Sequence, residues 1–116
     1  MSEIRPCFVA LRVRDPEASV RFYRDALGVP LHADEEGTHH EYSWHEPYFH
    51  FALFPAEAEE PGLGFAVDDI DAAHERAVAA GATVVESPRQ QPWGRSARYR
   101  DPDGNQVELT DLRRPS

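Results

Sequence analysis

Six histidines, twenty-one carboxylates and no lysine set the chemistry open to this 116-residue chain. Four of the histidines crowd into one stretch, as His39, His40, His45 and His50, and the run His39–His45 could bring one imidazole near His50. Two imidazoles and one carboxylate form a donor set that suits Fe(II), Mn(II) or Zn(II). Alternation along a strand puts His40, Tyr42 and Trp44 on one face and His39, Glu41 and Ser43 on the other. The plainer reading of the same residues is a set of loop and edge histidines with no metal. Cys7 is the only cysteine, which excludes an intrachain disulfide and a cysteine-based zinc site. It has no catalytic neighbour in sequence and is read as a structural thiol. The absence of lysine excludes a Schiff-base lysine and a phosphate-loop lysine.

The elements that must hold these residues recur in two halves. Phe8–Val13 is a short apolar run, then Asp15 is placed to cap a helix that starts at Pro16. Ala18, Phe22 and Ala26, with Tyr23 and Leu27, form the expected helical stripe, and Gly28 stops it. In the second half Leu63–Val67, the cap Asp69, the stripe Ile70, Ala73, Ala77 and Ala80, and the stop Gly81 repeat that order. Val13 maps to Val67 at an offset of 54 residues, and Gly28 maps to Gly81 at 53. Strand-like runs follow each helix: Pro30–Asp34, His40–Trp44 and Tyr48–Phe54, then Thr83–Glu86, Ser96–Arg100 and Gln106–Thr110. Asp101–Gly104 is a turn signal. The pattern is βαβββ twice, an α+β fold in one domain over 1–116. Module 1 is expected at about 4–56, a linker at 57–62, and module 2 at about 63–112.

The net charge of −9 argues against nucleic acid, which needs clustered cations, and would favour a cationic small molecule. No apolar run approaches the ~20 residues of a membrane helix, and no signal peptide is seen, so a cytoplasmic setting is expected.

Leu11-Arg-Val-Arg-Asp15 followed by Ser19-Val-Arg-Phe-Tyr-Arg-Asp-Ala-Leu-Gly28 resembles the first module of the vicinal oxygen chelate superfamily. Phe65-Ala-Val-Asp-Asp69, Ala80-Gly81 and Asp101-Pro-Asp-Gly-Asn-Gln-Val-Glu-Leu109 resemble its second module. That superfamily includes glyoxalase lyases, extradiol dioxygenases and bleomycin-resistance proteins. The resemblance covers about residues 4–112. It implies two modules whose mixed sheets curl around a groove, and a homodimer.

In metal-using relatives the ligands come from the groove face of four strands. Carried over, these positions fall on Phe8, His50, Gly62 and Glu108, and neither Phe8 nor Gly62 has a side-chain donor. Two ligands do not make the three that a catalytic divalent site needs. With His40 on the groove face, His40, His50 and Glu108 would form a non-standard triad for Fe, Mn, Ni or Zn. Without it, no cofactor is expected. His50 and Glu108 are then the acid–base candidates, with Glu108 also open to pairing with Arg12 or His50. Phe8, Arg12, Trp44, Tyr48, His50, Phe54, Trp93, Tyr99 and Glu108 are the expected ligand groove. His32 and His74 are expected at the surface. The leading expectation is a small-molecule-binding protein that takes an aromatic or cationic ligand without the usual metal triad. The alternative is a metal-dependent lyase, isomerase or dioxygenase built on His50 and Glu108. Whether the chain turns over a substrate is left open by the residues.

Overall fold

The computed structural model describes residues 4–45, 48–92 and 94–111 of the chain. Trp93 and the end of the C-terminal tail lie outside the described residues. Phe8–Glu60 make one compact unit, and the remaining residues on either side of that segment make the other.

The first unit holds Phe8–Val13 of strand β1 (Ile4–Val13), helix α1 (Pro16–Val20), and strands β2 (His32–Ala33), β3 (His40–His45) and β4 (Tyr48–Pro55). Asp15 caps α1 by accepting from the Ala18 N–H at 3.1 Å, and Pro16 opens the helix. Beyond Val20 the chain continues as a π-helical turn over Arg21–Ala26, and Gly28 ends it at a φ of 85°. The strands run β2-β3-β4-β1, antiparallel except for the parallel β1–β4 pair. Val20, Leu31 and Leu53 form the core, with Val13, Tyr23, Tyr42 and Phe51 packed on it.

The second unit repeats the plan with β5 (Leu63–Val67), α2 (Ile70–Ala79), β6 (Thr83–Gln91), β7 (Gly94–Arg100) and β8 (Gln106–Thr110). Asp69 caps α2 through the Ala72 N–H at 3.1 Å. The strands run β5-β8-β7-β6, with β5–β8 parallel. Val67, Ile70, Ala97 and Tyr99 form this core, with Ala73, Ala77 and Leu109 against it. The chain therefore has the α+β, twice-βαβββ architecture expected from its residues.

Two local expectations need correction. The first-helix stripe faces the core only in part: Tyr23 packs on it as expected, but Phe22 and Leu27 are 53% and 60% exposed. Val20, outside the expected stripe, points inward with Tyr23. The π turn has more residues per turn than an α-helix, so it rotates the later positions out of the α-helical phase. The sixth strand is also longer than expected: it extends to Gln91 through Pro88, with register shifts between Val84 and Glu86 and between Glu86 and Arg89. Such irregularities accommodate a proline inside a strand.

Candidate metal centre

The face of each strand is settled by pairing, because directly opposed residues project to the same side of a sheet. In the first unit Tyr42 and Phe51 are opposed, as are His40 and Leu53, and these belong to the side packed on α1. The other side carries Glu41 opposite Ala52 and Ser43 opposite His50. Across β1–β4, Phe8 opposes His50, Ala10 opposes Ala52, and Arg12 opposes Phe54. Phe8, Arg12, Tyr48, His50 and Phe54 therefore share one face, as strand alternation requires. His40 and Trp44 lie on the opposite face, so the His40–His50–Glu108 triad is not assembled. The pleat separates His40 from His50, and a one-residue offset on β3 is enough to do so.

His50 meets a different pair. Its Nε2 lies 3.5 Å from Glu41 Oε1, and His39 Nε2 lies 2.6 Å from the same oxygen. One donor atom from each of His39, Glu41 and His50 falls within 4.8 Å of the others. The hairpin between β2 and β3 delivers His39. The Asp34 N–H donates to the His39 carbonyl at 3.0 Å, and Gly37 turns the chain at a φ of 70°. The His39 N–H donates back to Asp34 Oδ1 at 2.9 Å. That bond and the Thr38 hydroxyl hold the Asp34 carboxyl down at about 2. The Phe54 ring stacks on the His39 imidazole, with centroids 4.4 Å apart and planes at 21°.

Burial pushes the His50 imidazole below its ordinary value, against the opposing pull of Glu41. Neutral imidazole is the form that ligates metal. Ser43 Oγ lies 2.9 Å from His50 Nδ1, which leaves Nε2 directed at Glu41. Two Nε2 atoms and one carboxylate oxygen thus converge, the donor chemistry of a two-histidine, one-carboxylate ion site. His39 and Glu41 were overlooked as ligands in the sequence. Their shared face with Ser43 was legible, but the offset that aligns Ser43 with His50 was not.

The second unit carries Glu108 in a different setting. It is 6% exposed and opposite Gly64 on β5, with Arg98 Nε 3.8 Å away on β7. Gly64, in place of Gly62, stands across from this carboxylate, and it too lacks a side-chain donor. The same face carries Ser96, Gln106 and Thr110. Arg12, expected as a partner for Glu108, donates to the Ala58 carbonyl at 3.2 Å. Tyr99 leaves the expected groove set: it opposes Val107, sits in the α2-packed core, and its oxygen lies 2.6 Å from His74 Nδ1. His74 is accordingly half-buried and not at the surface. Cys7 is buried, and burial followed by the nearby Glu108 charge pushes its thiol up to about 11. Trp93 lies outside the described residues.

A model of the glyoxalase/bleomycin resistance protein/dioxygenase superfamily matches residues 7–109. The chain belongs to this superfamily. It is 31% identical over 115 residues to metapyrocatechase from Pseudomonas sp. (strain CF600), covering 91% of this chain. It spans only 37% of that relative's length. Among solved structures it resembles a Mn(II)-bound glyoxalase from Novosphingobium aromaticivorans at a TM-score of 0.75 and 24% identity. That match covers 100% of this chain and 42% of the other. A methylmalonyl-CoA epimerase from Mycobacterium tuberculosis matches at a TM-score of 0.56 and 21% identity, over 90% of this chain and 85% of the epimerase. The two structural likenesses show the fold. Among the described residues, no helix of the superfamily member is long and apolar enough to cross a membrane.

Proposed function

We propose that this superfamily member binds an oxygen-bearing small molecule at a divalent metal held by His39, Glu41 and His50. The observation that carries the reading is the convergence of two Nε2 atoms on Glu41 Oε1, at 2.6 and 3.5 Å. The residues fit the ion: both imidazoles turn the same nitrogen inward, and three protein ligands leave positions open. When bound, such an ion acts as a Lewis acid toward an oxygen of the ligand. The chain's own residues do the rest. Phe54 holds the His39 ring by stacking, and Ser43 holds the His50 ring. Phe8 and Arg12, paired across the sheet with His50 and Phe54, offer an apolar wall and a cation beside the centre. The names of the metapyrocatechase and the Mn(II)-bound glyoxalase agree with metal-dependent chemistry, of dioxygenase, lyase or isomerase type. Of the four positions that the resemblance implied, Phe8, His50, Gly62 and Glu108, His50 alone belongs to this centre.

The test is metal content of protein purified without chelators and offered Mn(II), Fe(II), Ni(II) and Zn(II) in turn. About one ion per chain is expected, lost in Glu41→Gln and His50→Ala and kept in His40→Ala. No uptake of any of the four would end this reading.

A second reading has its own support. Phe8, Tyr48 and Phe54 share a face with Arg12 in a chain of net charge −9, which suits metal-free binding of an aromatic or cationic ligand. Glu108 and Trp93 stay in that ligand set through the resemblance alone, and Glu108 remains its acid–base candidate. Quenching of Trp93 fluorescence by cationic aromatic compounds, in chelator-treated protein with Trp44 on the opposite face replaced by Phe, would favour it.

We also propose a cytoplasmic homodimer. The chain spans 37% of the metapyrocatechase and 42% of the glyoxalase, so two copies supply a length comparable to one such relative.

A further inference from the structure

Resting on the metal reading above, we infer that Thr38 and Asp34 form an outer relay that positions His39 as a ligand. The proton accounting decides its direction. The Thr38 hydroxyl donates its one hydrogen to Asp34 Oδ2 at 2.7 Å. Its oxygen also lies 3.1 Å from His39 Nδ1. With its hydrogen committed to Asp34, Thr38 can only accept from that nitrogen. His39 Nδ1 therefore carries a hydrogen, and Nε2, which donates to Glu41 Oε1 at 2.6 Å, is the nitrogen whose hydrogen an ion would replace. Asp34 Oδ2 itself lies 3.7 Å from Nδ1, too far for a direct bond, so the hydroxyl is the bridge.

The other imidazole is arranged in the same way. His50 directs Nε2 at Glu41 and has its Nδ1 against the Ser43 hydroxyl at 2.9 Å. Two histidines, one from the β2–β3 hairpin and one from β4, share one polarity: inner nitrogen toward the carboxylate, outer nitrogen on a hydroxyl. Fixing ring orientation and tautomer through the outer nitrogen is how supporting residues tune a metal ligand. His39 has the longer chain of support, because its hydroxyl is backed by a carboxylate that its own backbone N–H anchors at 2.9 Å. The relay occupies the β2–β3 hairpin, within Asp34–His39. Thr38 and Asp34 are positioning residues, and neither is placed among the three ligands.

Co(II) is the probe, because its visible absorption reports ligand identity and geometry independently of any turnover. Wild-type protein is expected to bind Co(II) with a ligand-field spectrum. Thr38→Val keeps the side-chain shape and removes the bridge, and it should weaken Co(II) binding by about 10- to 100-fold with an altered spectrum. Thr38→Ser should restore both affinity and spectrum. Unchanged affinity and spectrum in Thr38→Val would overturn the relay while the metal centre stands. Equal loss in Thr38→Val and Thr38→Ser would also overturn it, by pointing to the hairpin's fold in place of the hydroxyl. Absence of Co(II) binding by the wild type would overturn the centre and the relay together.

Discussion

At Cys7 the residue type is simple and its setting is not. The thiol is 2% exposed, and burial together with the Glu108 charge holds its ionisation at about 11, against 9.0 for a free thiol. Its folded-state value is raised, so the protonated thiol contributes stability that is fully present below pH 9. As pH rises from 9 toward 11 the unfolded chain gives up the proton first, and that contribution is lost. Chemical denaturation between pH 8.5 and 11 should show a decline on the order of 2 kcal/mol that Cys7→Ala lacks. The same burial predicts slow alkylation of native protein at pH 8.5. The sequence reading of an inert, structural thiol agrees with this setting. The neighbour that shapes it, Glu108, is a hundred residues away and could not be read from the chain. The same limit applies to the metal ligands: His39, Glu41 and His50 were visible as residue types, but their convergence depends on how β3 and β4 are aligned.

At the scale of elements, local chemistry was read well where it is local. Asp15 and Asp69 cap their helices as their types require, because the acceptor is three residues from the donor. Gly28 and Gly81 end the two helical segments at φ values of 85° and 87°. The inward face of the first helix was misread because Arg21–Ala26 wind as a π turn, which no residue in the stretch announces. Two leucines on either side of Gly28 test the consequence with identical chemistry. Leu31 is 4% exposed and in the core, whereas Leu27 is 60% exposed. Leu31→Ala should cost about 2–5 kcal/mol and Leu27→Ala within about 0.5 kcal/mol, measured by denaturant unfolding. Equal costs would mean that the π turn does not set the phase described here.

On the scale of the whole molecule, the repeat of strand, capped helix and strands was legible because each half solves the same burial problem with similar residues. If the chain pairs in solution, sedimentation equilibrium at micromolar concentration should give twice the 13.1 kDa chain mass. A single-chain mass across that range would remove the homodimer from the proposed function. The sequence by itself determined the α+β class, the two βαβββ repeats and both helix starts, which rest on spacing along the chain, while its motifs carried the resemblance to the superfamily. It also determined that Phe8 and Gly62 bring no donors, since that needs only their identity. Tertiary structure alone decided which side chains His50 faces. Side chains alternate with a period of two, so the pairing of Ser43 with His50 sends His40 to one side and Glu41 to the other. Tyr99 and Trp44 left the expected groove for the same reason, because a strand's inward face is fixed by its partners and not by its own residues.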